Sequence, residues 1–268
     1  MKRPTRPPGN RRYALLSVGA LLAVTSVSGA APGSAASGSL GVAAEARAVL
    51  PPRSARVGAL FNGDLEGGHF CTASVVRSAG RDLILTAAHC LSGDGDTDVV
   101  FVPGYRDGRA PYGLWRVTKT FVPGAWSDRA DEDSDFAFAV VAATSATSSP
   151  SSKGARELQD VVGANVLVTG RATGAGDVVV TGYPNVLDTS LSCTNRPTVH
   201  SSTQQRIECP DFTDGTSGSP WVDREGGVVG VLGGFEQGGA TDDVSYSAVL
   251  GSAAAALYRE AARFGGSS

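Results

Sequence analysis

Apolar residues in this chain come in short runs broken by Gly, Pro and Asp, and almost nowhere at helical spacing. Short runs rich in Val, Phe and Thr between such turn formers predict β-strands. Six lie in the first half, at Val57–Phe61, Phe70–Val76, Leu83–Ala87, Val99–Val102, Trp115–Phe121 and Phe136–Val141. Seven follow, at Val166–Thr169, Val178–Tyr183, Leu191–Thr194, Arg206–Cys209, Gly218–Val222, Val228–Leu232 and Tyr246–Val249. Between the sets, Ala142–Ser152 is rich in Ser, Thr and Ala and reads as a linker. Only Ser252–Phe264 departs from this pattern: it is alanine-rich, with Leu257, Tyr258 and Phe264 at helical spacing, and predicts a terminal helix packed on the second half.

Ahead of Val57 the pattern changes. Lys2, Arg3, Arg6, Arg11 and Arg12 precede the apolar run Ala14–Val24, which is short for a bilayer span and is followed by small residues. Residues 1–36 therefore read as a secretory signal peptide, cleaved after Ala30 or Ala36, and 37–56 as a pro-segment or flexible lead-in. The Arg11-Arg12 pair hints at twin-arginine export, but Ala14 stands where a bulky apolar residue is preferred, which favours the general route.

At 268 residues, with 35 Gly and 14 Pro, the chain suits one large all-β unit in two halves rather than a helical protein. Without the five leading cations, 18 basic residues face 26 acidic ones, which argues against a nucleic-acid partner. No stable membrane anchor is expected after the leader is removed, nor any cofactor. The four cysteines lack C-x-x-C spacing and fit two disulfides in an exported chain better than a zinc knuckle. Asp94-Gly-Asp-Thr-Asp98 alternates carboxylates as a calcium loop does. Counted from Asp94, however, positions six and twelve are Val99 and Tyr105 instead of Gly and Glu, so it reads as a solvated turn and no metal site is assigned.

The candidate chemistry lies in Asp211-Phe-Thr-Asp-Gly-Thr-Ser-Gly-Ser-Pro-Trp221. Ser217, between Gly215 and Gly218, sits in a turn whose small neighbours let its hydroxyl and nearby N–H groups approach a carbonyl. A serine in such a turn is often only a turn residue, and a nucleophile needs a base. All three histidines, His69, His89 and His200, precede Ser217, which excludes the serine-acid-histidine order of α/β-hydrolases. His89 alone ends an apolar run beside a cysteine, whereas His69 and His200 read as loop or strand-edge residues. The acid must be buried against the ring. Asp135 opens the run Asp135-Phe-Ala-Phe-Ala-Val-Val141, while Asp128, Asp131, Glu132 and Asp133 belong to a solvated loop.

The order His89, Asp135, Ser217, together with Ala87-Ala-His-Cys90 and the Asp-x-Ala-x pattern at Asp135, resembles secreted bacterial trypsin-like serine proteases of the chymotrypsin fold, related to glutamyl endopeptidases. The resemblance covers about Val57 to Phe264. It implies two six-stranded antiparallel β-barrels packed face to face with a C-terminal α-helix: a first barrel at about 57–141, a second at about 160–250 and the helix at 252–264, within a protease domain of 57–268. It implies a secreted, monomeric serine endopeptidase acting on proteins or peptides through His89, Asp135 and Ser217, with the amides of Gly215 and Ser217 as oxyanion hole. It also implies the disulfides Cys71–Cys90 and Cys193–Cys209, and a substrate pocket with Asp211 at its base and Gly233, Gly234 and Phe235 on its wall. Thr216 stands where the animal enzymes carry the aspartate that pairs with a new N-terminus, so activation without that ion pair is expected. An esterase with the same triad and a non-catalytic protease-fold binding module are the other readings.

Overall fold

The computed structural model describes residues 53–92, 98–144 and 156–264, all in one compact unit. The leader, most of the lead-in, four of the five residues of the Asp94–Asp98 run and the linker beyond Thr144 lie outside the described residues. Asp98 itself pairs with Arg116.

In the first half, β1 (Val57–Asn62), β2 (His69–Val76), β3 (Leu83–Thr86), β4 (Val99–Pro103), β5 (Trp115–Phe121) and β6 (Ala137–Ala143) form a closed barrel in the order β1-β2-β3-β6-β5-β4. Its interior holds Leu60, Val75, Ile84, Phe101 and Trp115. β3 is apolar at successive positions because both of its faces are covered. Ile84 points into the barrel, whereas Leu83 and Leu85 face outward onto Phe138, Val140 and residues of the second half.

The second half comprises β7 (Val166–Leu167), β8 (Val178–Gly182), β9 (Leu191–Asn195), β10 (Thr198–Val199), β11 (Gln204–Glu208), β12 (Pro220–Val222), β13 (Gly227–Val231) and β14 (Val244–Ala248). Its ladder is laid down as two sheets, β10-β11-β14 and β7-β13-β12-β8-β9. Val178, Val180, Ile207, Phe212, Trp221 and Leu232 share its core. The molecule is thus the two-barrel all-β fold with a C-terminal helix, one barrel closed by hydrogen bonds and the other divided.

Two short helices, α1 (Gly124–Arg129) and α2 (Leu158–Val162), precede the terminal helix α3 (Ser252–Phe264). The expectation that α3 packs on the second half needs correction. Ala254, Leu257, Tyr258 and Ala261 enter a cluster shared by Leu83, Phe138 and Val140 of the first barrel and Val228 and Val231 of the second. Tyr258 packs on Phe138, and Phe264 packs edge-on to Phe121. Its apolar face is wide enough to serve both halves, and no described helix is long and apolar enough to cross a membrane.

Candidate active site

β3 and β6 are antiparallel neighbours with Thr86 opposite Ala137, so the end of one strand and the start of the other meet at the same rim of the barrel. His89 lies three residues beyond Thr86, in a single 3-10 turn, Ala88–Cys90. The Cys71–Cys90 disulfide, with Cα atoms 6.2 Å apart, ties that turn back to β2. Asp135 lies two residues before Ala137, after a second 3-10 turn, Glu132–Ser134, whose first bend is capped by the Asp131 carboxylate.

Asp135 is fully buried. Its Oδ1 accepts the His89 amide at 3.0 Å, and its Oδ2 accepts His89 Nδ1 at 2.8 Å and the Gly234 amide at 2.8 Å. Three convergent donors are what a buried carboxylate needs to keep its charge. With Nδ1 donating to Asp135, Nε2 of the neutral ring is left as the acceptor.

The Ser217 turn comes from the second half, where Gly215 and Gly218 have φ +92° and +86°. A Cβ on Gly215 would lie 2.5 Å from the Asn185 nitrogen and 2.7 Å from the Tyr183 carbonyl oxygen, and one on Gly218 would collide with the Thr72 carbonyl. Both positions therefore require glycine on two counts, conformation and space.

Because a trans peptide sets each N–H opposite the preceding carbonyl, the bonds on the carbonyls fix where the amides point. The Asp214 carbonyl accepts from Asn185 N at 2.8 Å, which directs the Gly215 N–H the other way. The Thr216 carbonyl accepts from the Ser219 amide at 3.0 Å and its hydroxyl at 2.6 Å, which does the same for the Ser217 N–H. The amides of Thr216, Gly218 and Ser219 are spent on Thr213, Leu232 and Thr216 carbonyls. Those of Gly215 and Ser217 donate to no acceptor among the described residues.

Two seams bring the halves' contributions together. Ser217 O accepts the Thr72 amide at 2.7 Å, and Thr72 O accepts the Thr86 hydroxyl at 2.7 Å, three residues before His89. On the other side, Leu232 O holds Gly218 while Gly234 N holds Asp135, so three consecutive residues bridge the serine turn and the acid. The half-buried Ser217 hydroxyl makes no hydrogen bond among the described residues, to His89 or otherwise. Such bonds are commonly long without substrate and tighten in the complex.

Other expected positions behave differently. Asp211 is exposed, in a left-handed turn at φ +65°. The chain alternates here, with Phe212 entering the second core while Asp211 and Asp214 face solvent. Aspartate after Pro210 suits that turn without further purpose. The expected wall is not a strand either. β13 ends at Val231, Gly234 has φ +79° and the chain turns into Phe235–Gly238. Gly233 instead lies against Asp135, where a Cβ would come within 2.8 Å of its Oδ2. Phe235 packs with His200 and Tyr246, ring centroids 4.8 and 5.0 Å away.

The second disulfide, Cys193–Cys209, links β9 to the residue after β11. His69 opens β2, at a strand end, and is buried among Phe61, Tyr105 and Tyr183, with Nε2 3.1 Å from the Leu187 carbonyl. Cys71, His89 and Cys90 crowd together, but the sulfurs are joined to each other and offer no thiolate to a metal. Two contributors escaped the sequence reading: the Gly234 amide, and Thr72, whose hydroxyl bonds both Gly215 O and Tyr183 N. Neither carries a local signature, although a glycine pair ending an apolar strand was a signal for close backbone approach.

Residues 71–231 match the family model described as the trypsin-like peptidase domain. The chain resembles the crystal structure of the protease Anisep from Arthrobacter nicotinovorans at 27% identity, covering 78% of this chain and 96% of that one, with a TM-score of 0.64. It resembles a thermostable serine protease from an extremophilic microorganism at 27% identity, covering 80% and 99%, with a TM-score of 0.65. A Glu endopeptidase at 17% identity, covering 80% and 95%, shares the fold with a TM-score of 0.63. No curated protein matches the chain in sequence.

Proposed function

The chain belongs to the trypsin-like peptidase domain family, and from that premise we propose that it is an exported, monomeric serine endopeptidase working through His89, Asp135 and Ser217. The observation that carries this reading is the buried Asp135 carboxylate holding His89 by both its amide and its Nδ1, beside a serine turn with two uncommitted amides. Export is supported by the basic and apolar leader and by two disulfides, which persist in oxidising compartments.

In this mechanism Ser217 Oγ attacks the peptide carbonyl carbon as its proton passes to His89 Nε2. The carbonyl oxygen becomes an oxyanion that accepts from the Gly215 and Ser217 amides, where losing one donor typically costs about 2.7–4 kcal/mol of transition-state stabilisation. Asp135 stabilises the imidazolium. The intermediate collapses, the C–N bond breaks and the amine leaves with the proton from His89. Water, deprotonated by His89, then cleaves the ester on Ser217 and restores the enzyme. Asp211 is exposed in its turn, and no preference for Arg or Lys before the cut is included.

Labelling with an organophosphonate, mass-spectrometric location of the adduct, and casein digestion by wild type and Ser217→Ala test the reading. One adduct on Ser217 and loss of digestion in the variant are expected. Digestion by folded Ser217→Ala protein would overturn it, and hydrolysis of small esters without casein cleavage would favour an esterase.

A further inference from the structure

The turn from Asp214 to Gly218 contains two glycines at positive φ and, among the described residues, no ion pair, so its peptide planes hold their direction through the bonds on them. The plane of Asp214 and Gly215 is fixed by Asn185 N, and that of Thr216 and Ser217 by Ser219; both are bonds within the second half. The two remaining planes are held on their amide side within the second half, by Thr213 O and Leu232 O, and on their carbonyl side from the first barrel, by one residue. Thr72 Oγ1 donates to the Gly215 carbonyl at 3.0 Å, and the Thr72 amide donates to the Ser217 carbonyl at 2.7 Å. The same hydroxyl accepts the Tyr183 amide at 2.9 Å, two residues before Asn185. Thr72 is fully buried on β2, one residue after the cysteine bridged to the His89 turn.

We propose that the Thr72 hydroxyl is a positioning residue for the oxyanion hole, fastening the Gly215 carbonyl and the Tyr183–Asn185 segment to the barrel that carries His89 and Asp135. This rests on the peptidase reading of the same site. The hydroxyl never touches substrate; it holds the peptide plane that follows the Gly215 amide and, through the Tyr183 amide, the segment whose Asn185 N directs that amide. Its two bonds are complementary: the O–H has one acceptor, Gly215 O, and a lone pair has one donor, Tyr183 N–H. An isosteric side chain without oxygen leaves both of those buried groups wanting a partner and loosens the tie between the Gly215 carbonyl, the Tyr183–Asn185 segment and the first barrel. Serine keeps both bonds.

The test compares Thr72→Val and Thr72→Ser with wild type, reading kcat and KM on a peptide amide substrate and the affinity of a peptide boronic acid, which forms a tetrahedral adduct on the serine. In Thr72→Val, kcat should fall about 10- to 100-fold with KM nearly unchanged, and boronate affinity should fall by a similar factor, because only the tetrahedral state uses the hole fully. Thr72→Ser should restore both to within about threefold. Wild-type kcat and boronate affinity in folded Thr72→Val, or a serine variant as poor as valine, would overturn the proposal.

Hydrogen exchange at the Tyr183 amide gives a reading independent of catalysis. It should be slow in wild type and Thr72→Ser and fast in Thr72→Val; equal protection in all three would also overturn the clamp. Thr72→Ala takes the place of valine should the branched side chain prevent folding. A wild type that cleaves neither peptide nor ester would sink the peptidase reading, while exchange at Tyr183 would still decide the clamp.

Discussion

The two halves of the molecule have the same class of structure and opposite ways of holding it. The first is a ladder closed on itself, and it delivers both His89 and Asp135 from adjacent strands at one rim. The second divides its strands between two sheets, and Ser217 hangs from a turn before β12 whose outer support crosses to Thr72. The pair whose mutual geometry must not vary is thus built entirely on the part with no sheet edges. The proposed nucleophile is built on the part whose strands are divided between two sheets, and bonds across the seam between the halves reach its turn.

Asp135→Asn attacks the closed side of this contrast where it matters most. The amide that replaces one oxygen faces donors instead of accepting from them, and kcat should fall about 10⁴-fold while the fold survives. A fall of less than tenfold in steady-state assays would mean that Asp135 does not orient His89. Gly233→Ala probes the same carboxylate from the second half, since its Cβ would stand 2.8 Å from Oδ2 and push the pair out of line. A loss of about 10²-fold in kcat is expected. Gly176→Ala, with open space around it, is the control and should change nothing; equal effects of the two would remove the steric explanation.

The disulfides sharpen the comparison further. They span 19 and 16 residues, and loop closure gives each about 3 kcal/mol. Replacing Cys71 and Cys90 together by Ala should lower both melting temperature and kcat, because the His89 turn loses its tie to β2. Replacing Cys193 and Cys209 should lower only the melting temperature. Identical kcat losses in the two double variants would show that the bridges do not distinguish the halves.

The smallest effect lies where the halves meet around His69. Burial first, and then the 2.8 Å hydrogen bond to Asp188, push Tyr105 from 10.0 up to about 12, and burial also raises Tyr183. With the folded value above the unfolded one, the stabilisation is complete below pH 10 and is lost as pH rises towards 12, because the unfolded chain ionises first. Denaturant melts across that window should show stability falling, less steeply in Tyr105→Phe. Equal slopes would mean that Tyr105 titrates alike in both states.

The sequence was most readable where both strand faces are buried. β3 and β6 follow from unbroken apolar runs; Asp82 opens one and Asp135 the other, and the Asp-x-Ala-x pattern marks Asp135. Legibility fails where a strand is short or half exposed: β7 shrinks to two residues, and Thr198–Val199, exposed and brief, gave no signal. Gly218 and Ser219 belong to the serine turn and not to β12, because the bonds to Leu232 and Thr216 bend the chain there. The resemblance sets Asp211 by its offset from Ser217, and an offset says nothing about which way a turn faces. Thr72 and Gly234 act across 143 and 99 residues through a hydroxyl and an amide, and no window of sequence contains both ends of such a bond.

The shared cluster under α3 has a consequence for synthesis. Leu83, Phe138 and Val140 present an apolar face outside the closed ladder, and the helix that covers part of it is encoded about a hundred residues after β6. At translation rates of roughly 5–20 residues per second, that face stands bare for several seconds or more as the chain emerges. Over that interval the nascent chain presents sticky surface to whatever binds it, and a chaperone or export factor that prefers unfolded apolar segments has its longest opportunity there.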